Sequence, residues 1–251
     1  MMPTVFVSHG SPALTLESGP SRDFLAGLGK RLGRPRAIVC VSAHWETDDV
    51  CVSLDPHPET IHDFHGFPAE LYRMRYPAPG DPTLGQRILG LLPGARGVDK
   101  RGFDHGVWSP LILMYPDAAI PVVEISVQPR RDAAHHFAVG QALAPLREEG
   151  ILILGSGAAT HNLRELGRGG PHVVEFENWL CEAVTEGRPE DLIRYAELAP
   201  FARRNHPTSE HLLPLFAPLG AANGAPGEVL NRVFEYESLS MAAFIWGAAA
   251  A

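Results

Sequence analysis

The stretch TVFVSHGSPA, residues 4–13, decides how this chain is read. Thr4, Val5, Phe6 and Val7 form a β-branched and aromatic run without polar alternation, the pattern of a strand covered on both faces. The run stops at Ser8-His9-Gly10-Ser11-Pro12, so a histidine is delivered into a segment of small residues where backbone can approach a ligand closely. The same design recurs in AIVCVSAHW, residues 37–45, and ILILGSGAATHN, residues 151–162, which place His44 and His161 after two further apolar runs. In open α/β sheets ligands bind beyond the carboxyl ends of the strands, so His9, His44 and His161 are predicted to converge there.

Around these runs, strand-like and helix-like segments alternate. Strands are predicted over 4–8, 37–42, 50–54, 121–127 and 151–155, with a further one near 232–236. Helices are predicted over 21–32, from the Asp81-Pro82 cap to 92, over 132–149 closed by Gly150, and over 173–186 closed by Gly187. This alternation gives the expected fold class: one α/β domain over 1–251, its mostly buried central sheet flanked by helices and its active site at the strand C-terminal ends. The proline-rich YPAPGDP, residues 76–82, reads as a surface loop.

Composition narrows the class. Hydrophobic residues make up 45% and charged residues 20%, and no apolar run nears the roughly 20 residues of a bilayer span. No basic and apolar leader precedes the first strand, and the three cysteines, Cys40, Cys51 and Cys181, lack metal-site spacing. A cytoplasmic protein is therefore expected. A net charge of −8 without a basic cluster argues against nucleic acid or an anionic membrane as partner.

Convergent imidazoles point first to a metal, because neutral histidine is a common ligand for zinc, iron and copper. Two more histidines join them. Asp104-His105-Gly106 precedes an apolar helical segment, and His211 follows Thr208 and Ser209, either of which could cap another helix. Glu210 and His211 are neighbours, pointing about 100° apart if helical, so they compete for one ligand position. Of the remaining histidines, His135 and His136 read as surface or core-edge residues of a helix, while His57, His172 and His206 read as structural. Trp45, Phe64, Phe67 and Tyr72 are candidates for the wall of an aromatic pocket.

Taken together, SHGSP (8–12), VSAHW (41–45), TIHDFHGFP (60–68), YPAPG (76–80), GFDHGVWSPLILMYP (102–116), SGAATHNL (156–163) and HPTSEHLLPL (206–215) resemble the 4,5-DOPA extradiol dioxygenases, members of the LigB-type class III ring-cleaving dioxygenases. The resemblance implies His9, His44 and His211 as metal ligands, His161 as a further ligand or an acid/base group, His105 as a second acid/base histidine, and His62 as a substrate contact. It departs from the family pattern at Ser209, where proline is more usual. The implied cofactor is Fe(II), with Zn(II) able to occupy the same histidines, and the implied partners are a DOPA-like catechol and O2. Residue chemistry leaves the third ligand open between His211, Glu210 and His161.

Ring cleavage needs a base for the catechol hydroxyl and an acid when the O–O bond breaks, roles that His105 and His161 could fill. Two rivals use the same residues: a zinc hydrolase with Glu210 as general base, and a metal-binding protein without turnover. A serine hydrolase is disfavoured, since GSG at 155–157 lacks the G-x-S-x-G elbow.

Overall fold

The computed structural model describes residues 1–247. The chain builds an eight-stranded mixed sheet, with spatial order β4-β3-β5-β2-β6-β1-β10-β7. These strands are β1 (Thr4–Ser8), β2 (Ala37–Glu46), β3 (Cys51–Ser53), β4 (Arg96–Val98), β5 (Val122–Val127), β6 (Ile151–Gly157), β7 (Glu228–Asn231) and β10 (Ala243–Trp246). A separate two-stranded ribbon joins β8 (Phe234–Glu235) to β9 (Leu239–Ser240). The central strands β5, β2, β6 and β1 run parallel, while β10 pairs antiparallel to β1 and β7 antiparallel to β10.

Helices cover both faces. They are α1 (Pro20–Leu32), α2 (Ala69–Arg73), α3 (Pro82–Leu91), α4 (His105–Met114), α5 (Ala133–Leu143) and α6 (Pro171–Thr185), followed by short turns and a helix at Phe216–Ala221. The period-two geometry of a strand sorts the buried residues between two cores. Val39 and Val41 of β2 and Ile151 and Ile153 of β6 pack with Phe176 of α6, Leu143 of α5 and Phe216. Ile38, Cys40, Leu152 and Leu154 face the opposite way, onto Leu25 and Leu28 of α1 and Val107 and Leu111 of α4. Continuous apolar runs are what such a doubly covered sheet requires.

The α/β expectation is thus met, with local corrections. β2 runs on to Glu46, through a register shift that pairs Glu46 with Val127, so His44 lies inside the strand rather than after it. The helix predicted over 132–149 ends at Leu143, because Pro145 lacks the donor to continue it, and Ala144–Arg147 tightens into a 3-10 turn. In the region of 232–236 only Phe234–Glu235 pairs, and it does so outside the main sheet. The buried β10, whose AFIW is too short to carry a period, takes the place beside β1. The expected helix after Ser209 is a turn leading to the 3-10 segment Leu213–Leu215.

His136 is buried: its Nε2 accepts from the backbone N–H of Gln128 and its Nδ1–H donates to Asp132 O. His206 is also buried and donates from Nε2 to Ala159 O. Burial holds both imidazoles at about 4, against their backbone hydrogen bonds, which favour the charged form. The unfolded chain takes up protons at these rings below about pH 6.5, whereas the native chain resists until about 4, so stability is full above about 6.5 and is lost as pH falls through this window. Urea denaturation of the metal-free protein should register a loss of roughly 1–2 kcal/mol per imidazole between pH 7 and 5, and a flat profile would contradict this.

Candidate metal centre

Strand register aligns the carboxyl ends of three neighbouring strands. Ser156 of β6 stands opposite Val7 of β1 on one side and Ser42 of β2 on the other. His9 and His44 each lie two residues beyond that row, and His9 N–H donates to Gly157 O at 2.9 Å. His211 arrives from a distant loop because Gly157 has no side chain: a Cβ there would lie 2.1 Å from His211 O. The same carbonyl accepts from Ala158 N–H at 2.8 Å, which fixes the loop under the end of β6.

His9, His44 and His211 each offer one ring nitrogen, all within 4.8 Å of one another. The Nε2 atoms of His9 and His44 are 3.1 Å apart. Their tautomers follow from what stands behind them. Pro110, inside α4, cannot donate to the carbonyl four residues earlier, which leaves Gly106 O free to accept the Ser156 hydroxyl. With its proton given to Gly106 O, Ser156 Oγ accepts from His9 Nδ1–H at 3.1 Å, leaving a lone pair on Nε2. His211 Nδ1–H donates to Glu210 Oε1 at 2.9 Å, and His44 Nδ1 faces Asp63 Oδ2 at 3.5 Å. Carboxylate or hydroxyl groups behind ring nitrogens are the usual means of orienting metal-binding imidazoles.

The electrostatics agree with this arrangement. Burial, reinforced by the neighbouring imidazoles, pushes His9 and His211 well below the ordinary histidine range. Burial and His105 hold His44 at about 4, against the pull of Asp104 and Asp63. All three are therefore neutral at pH 7. Two neutral imidazole nitrogens 3.1 Å apart, with one from His211 within 4.8 Å of both, make a donor set that fits a divalent transition metal.

Beside this cluster, His105 opens α4 with its N–H and Nδ1–H both donating to Asp63, each at 2.9 Å. Burial raises the Asp63 carboxyl, but the hydrogen bonds and charge of His105 outweigh it and bring the group down to about 2. His161 lies flat against His211, with ring centroids 3.4 Å apart, and belongs to a second grouping with Glu210 and His211. His9, His44, His105, His161 and His211 all line a cavity of about 570 Å³.

Phe64 and Phe67 line that cavity, but Trp45 and Tyr72 do not. Trp45 instead supports the Arg101 guanidinium, 4.9 Å from its ring centroid. His62 does not reach the cavity either: its ring packs against Phe64 and Trp108, and its Nε2 lies 3.2 Å from Met74 O. Asp104 makes no side-chain helix cap; it accepts from Ser42 Oγ at 2.7 Å and from Arg101 at 2.5 Å. Ser42 Oγ in turn accepts from His44 N–H, so the ion pair of half-buried Arg101 with buried Asp104 braces the strand end that bears His44.

Sequence reading passed over Asp63 and Ser156. Asp63 stands between two histidines in IHDFHG, and its partner His105 is 42 residues away, so no local spacing signals the pair. Ser156 was concealed in an apolar strand.

A mixed α/β sheet whose strand ends gather neutral imidazoles beside a cavity defines a protein built around a histidine cluster able to hold a metal. The family model for the catalytic LigB subunit of aromatic ring-opening dioxygenase matches residues 3–246, and the chain belongs to that family. It is 46% identical over 231 residues to the 4,5-DOPA dioxygenase extradiol of Beta vulgaris, covering 87% of this chain and 86% of that protein. Against the 4,5-DOPA dioxygenase extradiol of Escherichia coli (strain K12) it is 43% identical, covering 96% of this chain and 93% of the relative. A crystal structure of an uncharacterized protein from Escherichia coli K12 superposes with a TM-score of 0.81 at 37% identity, covering 98% of this chain and all of that one.

Asp63→Asn removes the carboxylate that orients His105 and faces His44 Nδ1, while deleting none of the three imidazoles of the cluster. Turnover compared at equal metal content per chain should fall by about 10- to 100-fold. Unchanged turnover would show that the pair has no role in the reaction.

Proposed function

We propose that this chain is a metal-dependent extradiol dioxygenase that opens the ring of a catechol with O2. The observation that carries the reading is the convergence of His9, His44 and His211 on one point at the floor of a cavity, with His105 and His161 beside them. His9, His44 and His211 would hold Fe(II). When bound, iron supplies electron transfer between a catecholate and dioxygen.

The chain's own residues divide the remaining work. His105, with Nδ1–H committed to Asp63, presents Nε2 as the base for a catechol hydroxyl, and the Asp63 carboxylate stabilises the imidazolium that forms. His161 lines the cavity beside His211 and is assigned as the acid when the O–O bond breaks. Phe64 and Phe67 supply aromatic faces for the ring and limit water at the floor. Glu210, the base required by a zinc hydrolase, already accepts from His211 Nδ1 and Thr208 Oγ1, which weighs against that alternative. The names of the relatives and the three unpaired cysteines support a small-molecule substrate and a cytoplasmic setting. Among the described residues, no helix is long and apolar enough to cross a membrane.

Anaerobic loading with Fe(II), addition of a catechol and admission of air should give oxygen uptake together with a new yellow absorbance, both absent with Zn(II) alone. His161→Ala should abolish this turnover. Near-normal activity in that variant would overturn its acid/base role, and no uptake across a catechol panel would overturn the reading as a whole.

A further inference from the structure

The β8–β9 ribbon ends in a tip whose backbone is strained. Tyr236 and Glu237 have φ of 46° and 59°, in the left-handed region that costs free energy in residues other than glycine. Such a conformation persists only where its surroundings hold it, and here they do. Tyr236 O accepts from Gly167 N–H and from Ser238 N–H, each at 2.8 Å, and Glu235 Oε1 accepts from Ser21 Oγ at 2.6 Å. Gly169 lies so close to the tip that a Cβ there would collide with Glu237 O. Thr160 Oγ1 donates to Ser238 O at 2.8 Å and accepts from Ser240 N–H at 2.7 Å, which fastens the ribbon to the chain just ahead of His161.

This tip delivers the phenol of Tyr236 to the cavity. The side chain lines the same space as the five histidines, yet it is 48% exposed whereas His9, His105 and His211 are buried. It therefore stands at the opening, and they stand at the floor. Its hydroxyl meets Ser11, a second lining residue that lies two positions beyond His9. Burial, with Glu17 close by, pushes the phenol above its ordinary range, so it keeps its proton at neutral pH. Ser11 Oγ accepts from Ala13 N–H as the cap of the 3-10 turn Pro12–Thr15, which leaves its own O–H outside the backbone pattern. Two hydroxyls in contact use one O–H between them and leave the other for an acceptor that enters the cavity.

We propose that Tyr236, together with Ser11, is a specificity-determining residue that binds a hydrogen-bond acceptor on the ring substituent of the substrate, a side-chain carboxylate being the group that fits. The inference rests on the ring-cleavage reading for its orientation: with the diol at the histidine floor, a substituent on the far side of the ring extends to the opening. There a carboxylate keeps part of its hydration and accepts from a phenol that the ribbon has already ordered. The tyrosine ring packs on the carbons that carry it. Backbone strain at the tip is the cost of aiming this side chain at the ligand.

The test compares 3-(3,4-dihydroxyphenyl)propionate with 4-propylcatechol, which match in length and differ in the carboxylate. Anaerobic calorimetry on the Zn(II)-loaded protein gives Kd for each, and oxygen uptake on the Fe(II)-loaded protein gives kcat/KM. Tyr236→Phe keeps the ring and removes the hydroxyl, so the Kd of the propionate relative to that of propylcatechol should rise about fivefold, with L-DOPA weakened alongside the propionate. Tyr236→Gly removes the side chain from a backbone that glycine adopts without strain. Its thermal unfolding midpoint should be retained while both ligands lose affinity by about tenfold. An unchanged Kd ratio in Tyr236→Phe would overturn the proposal, as would a Tyr236→Gly variant that unfolds earlier but binds as before. Failure of both ligands to bind the unaltered protein would overturn it together with the ring-cleavage reading. The shift in Kd ratio without any oxygen uptake would uphold the role of Tyr236 and refute ring cleavage.

Discussion

The structure turns on two histidine nitrogens that are brought to one point at the ends of two strands. His9 and His44 bring their Nε2 atoms to 3.1 Å, and the hydroxyl behind His9 gives its own proton to Gly106 O, so it can only accept. Burial keeps both imidazoles uncharged at neutral pH, so each can turn a ring nitrogen toward a cation. His211 adds a third donor at the same point, so the fold presents a set of ligands able to hold a metal ion.

Much of the surrounding architecture keeps that arrangement in place. Parallel pairing of β1 and β2 on either side of β6 sets the spacing of the two strand ends. The bare surface of Gly157 admits the His211 loop, and the proline in α4 releases the carbonyl that fixes the Ser156 hydroxyl. Behind His44, half-buried Arg101 pairs with the buried carboxyls of Asp104 and Glu124, and such a cluster is costly unless its partners are held closely. Its link to the site through Ser42 is a physical reason for tolerating that cost.

The parts legible in the sequence were those with a local signature. Doubly buried strands announce themselves as apolar runs, and His9, His44 and His161 stood out because each followed such a run. The motifs from SHGSP to HPTSEHLLPL gave the family, which residues 3–246 bear out. Illegible were features set by tertiary partners: the extension of β2 through His44, the buried β10, and the pairing of Asp63 with His105. In the covering loop His62 and Asp63 are adjacent. It is Asp63 that reaches the site, while His62 turns back onto Phe64 and Trp108.

The most direct test of the central claim is X-ray absorption spectroscopy of the Fe(II)-loaded protein, combined with metal content per chain for the His9→Ala, His44→Ala and His211→Ala variants. The account predicts one iron per chain bound by three imidazoles, with binding lost in each variant. Full metal content without any one of these histidines, or coordination dominated by carboxylate oxygen in place of the His211 imidazole, would contradict it.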